Sequence, residues 1–202
     1  TIVCHACGDA ESVFRALFDF FCPQLSMEVE FQAFDHTKSE VIYEDRSLEV
    51  LTIPLHHRVP CAGFLFREKQ KPRHLLVEEC QKYNIPTAYY QSITLGNDWT
   101  DGNGTVIPNA SLTTEPSPSK SYAYCSDTIY AESIVPVIKG CDLLYHEATF
   151  ANDLAATAKE RGHSTALEAG KIASLAQVKQ PVIGHFSSRY DGDGEPELLA
   201  EA

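Results

Sequence analysis

The sequence predicts an α/β fold, because short apolar strand patterns alternate with amphipathic helix patterns along the chain. Several of these strand patterns end in His, Asp or Glu, which is where α/β folds keep their chemistry. The chain has 202 residues, of which 44% are hydrophobic and 22% are charged. This length and composition are typical of one globular domain with a substantial core, so we expect a single domain over residues 1–202.

The strand patterns are short and are bounded by turn residues. In 27–34, for example, Val29, Phe31 and Ala33 alternate with polar residues, which is typical of a half-buried strand. The predicted strands cover 1–4, 27–34, 48–55, 121–125, 141–145 and 180–183, and another begins near Gly63.

Apolar residues at helical spacing predict the helices. Val13, Leu17, Phe18 and Phe21 share one face of a helix over 9–21, which we expect to pack against a core. The other predicted helices cover 75–83, 129–137 (ended or kinked at Pro136), 152–161, 166–176 and a last one from 195 onward. A long loop or hairpin is expected over 89–107, a Ser/Thr/Pro loop over 109–119 and a turn over 191–194.

Charge and cysteine content narrow the functional class. The formal net charge of −12 argues against a broad nucleic-acid-binding surface, although a nuclease built on metal ions stays possible. The basic run over 67–73 is usually only a solvated loop. No apolar run reaches 18 residues and no signal peptide begins the sequence, so we expect no membrane contact. Seven scattered cysteines, including a weak Cys4-x-x-Cys7 signal, favour reduced thiols and a cytoplasmic protein.

Four polar blocks lie next to apolar runs. They are Ser-Asp127-Thr, His146-Glu147-Ala-Thr, Gly-His163-Ser164-Thr165 and His185-Phe-Ser187-Ser-Arg189-Tyr. Asp127 and His185 follow strands, as does an earlier His57, and imidazole and carboxylate groups together suit zinc. Each could also be an ordinary polar loop residue. His163 precedes a helix capped by Ser164 or Thr165 with Glu168, a position that favours an anion.

In this order the four blocks closely resemble ribonuclease Z, a tRNA 3′-processing endonuclease family of the metallo-β-lactamase superfamily. The resemblance extends from about Thr1 to Tyr190. It implies an αββα sandwich with the region 67–120 as an inserted arm and loop. The superfamily's His-x-His-x-Asp-His motif does not occur in the sequence. We therefore expect an incomplete sandwich, the C-terminal two-thirds of such an enzyme, with the N-terminal part of the first layer missing.

The resemblance also implies residue roles. His57, rather than the neighbouring His56, would bind zinc together with Asp127 and His185, and Asp127 would bridge two ions. His163 would donate a proton to the leaving group, tuned by Glu147 and supported by His146. The implied contacts to substrate are Lys120, Ser164, Thr165, Ser187 and Arg189.

The implied reaction is attack of a zinc-held hydroxide on a phosphodiester of precursor tRNA, which leaves a tRNA 3′-hydroxyl. We also expect a homodimer, because an incomplete sandwich exposes apolar edges. Because the ligand set is incomplete, we expect this chain by itself to bind metal poorly, to be inactive, and to associate through exposed apolar edges. Two alternatives are open: another phosphodiesterase of the same superfamily, and a non-catalytic module that binds tRNA or a partner protein.

Overall fold

A computed structural model describes residues 1–190 and 195–202 in two compact units. The first unit comprises Thr1–Arg67 and Lys120–Ala202, and the second comprises Glu68–Ser119. Strands of the first unit are β1 (Ile2–Ala6), β2 (Val29–Ala33), β3 (Val41–Glu44), β4 (Leu48–Pro54), β5 (Ala62–Glu68), β10 (Ser121–Cys125), β11 (Leu143–Glu147) and β12 (Gln180–Gly184). Its helices are α1 (Ala10–Phe21), α5 (Val135–Ile138), α6 (Ala155–Arg161), α7 (Ala166–Leu175) and α8 (Glu195–Glu201).

The second unit is small and has its own core. Its elements are β6 (His74–Leu75), α2 (Val77–Lys82), α3 (Tyr90–Thr94), β7 (Trp99–Thr100), β8 (Val106–Ile107), α4 (Asn109–Leu112) and β9 (Thr113–Thr114). Cys80, Ile85, Ile93 and Leu112 form the buried cluster at its centre. Burial of these apolar side chains stabilises the unit, although its helices and strands are short.

The main sheet of the first unit has six strands in the order β12-β11-β10-β5-β4-β3. Strands β10, β11 and β12 run parallel, whereas β5 pairs with β10 in the antiparallel direction. The carboxyl ends of the three parallel strands therefore meet at one edge of the sheet. In open α/β sheets this edge is where ligands bind.

The two faces of this sheet differ in their cover. On one face, Leu65, Ala123 and Leu144 pack with Ile138 and Ile172 in a buried cluster. On the other face, Tyr124 stacks on Tyr145 and Phe66 stacks on Tyr122. Phe66 and Tyr124 are more than a third exposed, so this aromatic face is only partly covered. Alternation along each strand explains the division, because successive side chains point to opposite faces.

The N-terminal region forms a separate two-stranded parallel sheet of β1 and β2, with α1 between them in sequence. No residue of α1 is buried, and Phe20 and Phe21 are 77% and 71% exposed. The expectation that this helix packs firmly against a core is therefore not met by the described residues. Nowhere in the described chain is a helix both long and apolar enough to cross a membrane.

Most predicted elements occur close to their predicted positions, but two predictions were wrong and a third was incomplete. The predicted helix over 129–137 is a 3-10 turn (Glu132–Ile134) followed by the short α5, with Pro136 in its first turn rather than at its end. Proline is tolerated there because first-turn N–H groups have no helical partner. The predicted loop over 109–119 contains α4 and β9. In the region 89–107 the hairpin is confirmed by β7 and β8, but helix α3 was not predicted.

Strand β3 was not predicted. A turn joins β3 to β4. In this turn the Asp45 side chain accepts hydrogen bonds from the backbone N–H groups of Ser47 and Leu48. Such an Asx turn is a local hairpin signal that the strand pattern alone does not carry. The predicted turn over 191–194 lies outside the described residues.

Candidate active site

Five side chains that the sequence singles out meet near the carboxyl edge of the parallel strands. Asp127 lies two residues after β10, His185 directly after β12, and Glu147 is the last residue of β11. His163 comes from the connection between α6 and α7, and His57 from the loop after β4. Residues as far apart in sequence as His57 and His185 are thus brought together on either side of the His163 ring, with ring centres 5.0 and 5.3 Å from it.

Asp127 and His185 have an unusual backbone. Their φ angles are +60° and +61°, in the left-handed region that non-glycine residues seldom adopt. This backbone conformation costs free energy at a non-glycine residue, so the surrounding structure must hold Asp127 and His185 in it. In this arrangement His185 Nε2 lies 3.3 Å from Asp127 Oδ1.

Glu147 is the buried centre of the site. Its side chain has no exposed surface, and its carboxylate accepts hydrogen bonds from four directions. The Thr128 N–H donates to Oε1 (2.6 Å), while the Ser164 N–H (3.1 Å) and the Thr149 hydroxyl (2.6 Å) donate to Oε2. The ring of His163 completes the set, with Nδ1 3.0 Å from Oε1. Several donors of this kind are what an ionised carboxylate needs inside a protein.

His57 and His163 are oriented through their Nδ1 atoms. His57 Nδ1 lies 2.8 Å from the carbonyl oxygen of Gly162, and His163 Nδ1 faces the Glu147 carboxylate. Both partners only accept hydrogen bonds, so in each ring Nδ1 carries the proton. The Nε2 atoms of both rings are therefore the ones available to a metal ion or a substrate. Orientation of a histidine by a carbonyl or carboxylate partner is the usual arrangement behind metal ligands.

Gly162 makes the approach of His57 possible. It ends α6 with φ +85°, and a Cβ atom there would lie 2.7 Å from His57 Nδ1. Only glycine adopts this backbone conformation freely and leaves space for the ring. Gly162 belongs to one of the four polar blocks of the sequence, but its contact to a ring 105 residues earlier could not be inferred from the sequence.

The donor set fits a metal ion. His57, Asp127 and His163 have potential ligand atoms within 4.8 Å of one another, as do Glu147, His163 and His185. Imidazole and carboxylate ligands are those that divalent transition metals such as zinc accept. The three predicted ligands and His163 therefore converge, with His163 placed in both groups.

Two open spaces adjoin the site. A cavity of about 370 Å³ is lined by the loop that carries His57, including Arg58 and Cys61. A smaller one of about 120 Å³ is lined by His163 together with Tyr130, Lys159 and Glu168. Cys61 donates from its thiol to the backbone oxygen of Asp127, and burial raises the pKa of this thiol. Cys61 therefore supports the Asp127 backbone as a neutral thiol.

His146 is not placed as predicted. Its Nδ1 lies 2.7 Å from the backbone oxygen of Glu147, and the predicted support of the His163–Glu147 pair does not involve the Glu147 carboxylate. Burial lowers the pKa of His146, so the ring is neutral. Its Nε2 atom has no hydrogen-bond partner among the described residues. This environment suits a side chain of the core better than a catalytic one.

Ser164 and Thr165 are also placed differently from the prediction of substrate contacts. Both are fully buried. The Ser164 hydroxyl donates to the backbone oxygen of Thr128, and Thr165 caps α7 in a reciprocal capping box with Glu168. The capping box was predicted from the sequence, and it is confirmed with Thr165 as the cap. Because both side chains are closed to solvent, this geometry suits support of the loop rather than contact with a phosphate.

The remaining predicted substrate contacts lie at the periphery. The Arg189 guanidinium lies 5.1 Å from the centre of the Phe150 ring and donates to the Ser187 hydroxyl, so both residues stabilise the loop after β12. Lys120 is exposed and lies 3.6 Å from Asp142, which also pairs with Lys179. These contacts neither require nor prevent binding of a phosphate.

Sequence reasoning missed two threonines that connect the site. Thr128 donates its N–H to Glu147, and its hydroxyl accepts from the N–H of His56. Thr149 contacts both Glu147 and His185 through its hydroxyl. Thr128 directly follows Asp127, and Thr149 lies two residues after Glu147. This proximity to the two acids was the signal in the sequence that could have identified the threonines.

Comparison with known proteins finds relatives that share about half of their residues with this chain. No known protein-family profile matches the chain. The chain is 50% identical over 190 residues to ribonuclease Z of Parabacteroides distasonis, covering 94% of this chain and 62% of the relative. It is 48% identical over 198 residues to ribonuclease Z of Bacteroides thetaiotaomicron, covering 98% and 62%. The chain thus spans about three-fifths of the length of these relatives.

Solved structures agree on the fold. The metallo-β-lactamase-fold protein YhfI from Bacillus subtilis superposes with a TM-score of 0.57 at 17% identity, covering all of this chain and 57% of that one. A long-form RNase Z from yeast superposes with a TM-score of 0.59 at 13% identity, covering 94% and 24%. The predicted metallo-β-lactamase fold class is confirmed by these likenesses.

Proposed function

The chain belongs to the ribonuclease Z family, and on this basis we propose a function in tRNA maturation. The proposed reaction is cleavage of the phosphodiester that joins the 3′ trailer to precursor tRNA, leaving a 3′-hydroxyl on the tRNA. The convergence of His57, Asp127, His163 and His185 beside the buried Glu147 is the observation that carries this proposal. A site of this kind suits hydrolysis of a phosphate ester with metal assistance.

Zinc is the proposed metal, because imidazole nitrogen and carboxylate oxygen are the donors present. His57, Asp127 and His185 are the proposed ligands. A bound divalent ion lowers the pKa of water and offsets the negative charge of a phosphodiester. The formal net charge of −12 makes such local positive charge necessary for a polyanionic substrate to approach.

His163 is the proposed proton donor to the leaving 3′-oxygen. Its Nδ1 is held by Glu147, so the proton available for transfer is the one on Nε2 of the charged ring. The buried carboxylate fixes which nitrogen of the ring faces the substrate. The arrangement thus supplies both a fixed orientation and a proton, which general acid catalysis requires.

RNA contacts outside the site are proposed for the second unit and for Lys120. In the second unit, Lys71 pairs with Glu68, and Arg73 pairs with Thr113 and Glu115. Much of the positive charge of 67–73 is therefore offset locally. The arm role proposed for this unit accordingly rests on the family more than on its charge.

Self-association and a cytoplasmic location are further parts of the proposal. All seven cysteines are free thiols, which supports a reducing compartment. The exposed phenylalanines of α1 and the partly covered aromatic face of the sheet supply apolar surface for a homodimer.

Cleavage of precursor tRNA tests the proposed reaction. The chain would be compared with a hybrid that carries the remaining part of the Parabacteroides distasonis relative. We expect the hybrid to bind zinc and to release the 3′ trailer, whereas the chain alone binds zinc weakly and is inactive, because its ligand set is incomplete. In the hybrid, His163→Ala should abolish cleavage while zinc content is kept.

The control is Lys171→Ala, which removes an exposed side chain of α7 in the first unit and should leave cleavage unchanged. A hybrid that binds zinc but hydrolyses only small phosphodiesters would assign the chain to a different phosphodiesterase function. A folded hybrid that binds RNA without zinc and without cleavage would instead favour the non-catalytic module.

Light scattering after size-exclusion chromatography tests self-association. We expect the chain to elute as a dimer or larger species, and the double variant Phe20→Ser/Phe21→Ser to shift toward the monomer, because burial of apolar surface drives association. Lys38→Ser, an exposed change elsewhere, is the control. A wild-type chain that stays monomeric over a wide range of concentrations would contradict the proposal.

A further inference from the structure

The cavity of about 370 Å³ next to His57 has a basic and apolar lining. The connection between β2 and β3 contributes His36 and Thr37, and the chain after β4 contributes 54–61. Among the described residues, those that line the cavity include three histidines and one arginine but no aspartate or glutamate. Because the whole chain has a formal net charge of −12, this lining departs locally from the overall composition.

Hydrogen bonds hold both parts of the cavity wall in place. The hydroxyl of Thr52, which is fully buried, donates to the backbone oxygen of Lys38 at 2.8 Å and so fastens the β2–β3 connection to β4. In the chain after β4, the Cys61 thiol donates to the backbone oxygen of Asp127 at 3.4 Å. A wall that is fixed before binding loses less conformational freedom when a ligand enters.

Three of the lining side chains offer hydrogen-bond donors to a ligand. The guanidinium of Arg58 is always charged and has five N–H donors. The rings of His36 and His56 each have an N–H to donate even when they are neutral. In the described part of the chain no acidic side chain pairs with Arg58, whereas Arg15 and Arg67 pair with glutamates. The cavity therefore presents one fixed positive charge and further donors, which suits an anion.

Asp35, the acid next to His36 in the sequence, does not cancel this charge. Its Oδ1 accepts from the N–H of Thr37 at 3.0 Å and from the Thr37 hydroxyl at 2.6 Å. Its Oδ2 lies 2.7 Å from Lys38 Nζ. The carboxylate is thus used within the β2–β3 connection, and its charge is directed to Lys38 rather than to the cavity.

We propose that this cavity binds a phosphodiester group of an RNA strand, next to the group that is cleaved, through Arg58, His36 and His56. The inference rests on the proposed function, because it takes RNA as the substrate. A guanidinium binds phosphate oxygens through two parallel hydrogen bonds, so Arg58 fixes the position of the strand as well as attracting it. His57 both lines the cavity and belongs to the candidate metal group, so a strand held in the cavity also reaches that group.

Binding of small probes to the chain, followed by the NMR signals of its histidine side chains, tests the cavity without metal or cleavage. The probes are the RNA dinucleotide uridylyl-uridine, which contains one phosphodiester, inorganic phosphate, and uridine. We expect the dinucleotide to shift the signals of His36 and His56 in a saturable manner, and uridine to leave them unchanged. Arg58→Gln should weaken binding of the dinucleotide about tenfold, because a charge-assisted hydrogen bond to the phosphate is lost.

Arg46→Gln is the matched control and should bind the dinucleotide as wild type does. Arg46 is also an exposed arginine of the first unit, but it lies in the turn before β4, at the end of that strand opposite to the cavity. Equal affinity of Arg58→Gln and wild type would overturn the proposal, as would equal shifts with uridine and the dinucleotide. Shifts caused by inorganic phosphate but not by the dinucleotide would make this a site for free phosphate and overturn the assignment to RNA.

Steady-state kinetics of the hybrid separates this inference from the proposed reaction. Arg58→Gln should raise KM for precursor tRNA about tenfold and leave kcat nearly unchanged, because a contact to a non-reacting phosphate contributes equally to the bound substrate and the transition state. With an uncharged methylphosphonate at the neighbouring position of the precursor, the two proteins should have equal KM. A lower kcat with unchanged KM would overturn the proposal. Failure of the hybrid to cleave tRNA would leave the dinucleotide result unaffected, so the two proposals fail separately.

Discussion

Helices α1 and α7 have similar lengths, 12 and 10 residues, but differ in burial. Helix α7 buries Ala166, Ala169, Ile172 and Ala173 and begins with the Thr165 capping box. Helix α1 buries none of its residues, and its N-cap residue Asp9 makes no side-chain hydrogen bond to the helix. Both helices have apolar residues at helical spacing, and the sequence pattern alone does not separate them.

The difference shows what an amphipathic pattern establishes. The pattern predicts which face of a helix is apolar, but burial depends on another surface that covers that face. Helix α7 has that surface in the six-stranded sheet, and it begins at the loop that carries His163 and Ser164. The catalytic candidates are thus held by the well-packed region, whereas the N-terminal region exposes apolar surface.

The largest expected effect is at the centre of the packed region. Glu147→Ala should lower the free energy of unfolding by about 3 kcal/mol or more, because the buried donors of Thr128, Ser164 and Thr149 would lose their acceptor. Urea unfolding monitored by circular dichroism measures this. Glu11→Ala in α1, which breaks an exposed pair with Arg15, is the control and should change stability only slightly. Equal effects of the two substitutions would remove the distinction between the regions.

A smaller effect is expected from apolar truncation in the two helices. Ile172→Ala should cost about 2–5 kcal/mol of unfolding free energy, because it leaves a cavity in a fully buried position. Leu17→Ala, at a position 45% exposed, should cost much less. The same denaturation experiment compares them at a concentration where the chain is monomeric. A comparable loss for Leu17→Ala would show that α1 is covered in solution.

The smallest expected effect concerns the helix caps. Thr165→Ala should destabilise the chain by about 1 kcal/mol, because the N–H of Glu168 loses its acceptor. Asp9→Ala should have little effect, since Asp9 makes no capping hydrogen bond. Thermal unfolding of both variants, with Thr165→Ser as the conservative control, measures the difference. A Thr165→Ser protein as unstable as Thr165→Ala would attribute the loss to packing of the methyl group.

The sequence predicted the position of most elements and singled out acids and histidines that the fold brings close together. Strand ends could be located because alternation and turn residues are local signals, and the capping box of Thr165 and Glu168 is local as well. The orientation of each ring could not be predicted, since it depends on partners such as Gly162 and Thr149 that only the folded chain brings close. The predicted roles of His146, Ser164 and Thr165 were assigned without knowledge of their burial.

The close approach of Gly162 and His57 has a consequence for how the chain tolerates change. The residue that ends α6 is also the residue whose carbonyl oxygen sets the proton position on the His57 ring. Gly162 therefore both ends the helix and orients the ring of a proposed metal ligand, so one residue must satisfy both requirements. An insertion or deletion between α6 and α7 would act on the site directly, by moving an acceptor atom away from a ring more than 100 residues earlier in the chain. Variation in the length of this connection should consequently be restricted even where its side chains are free to differ.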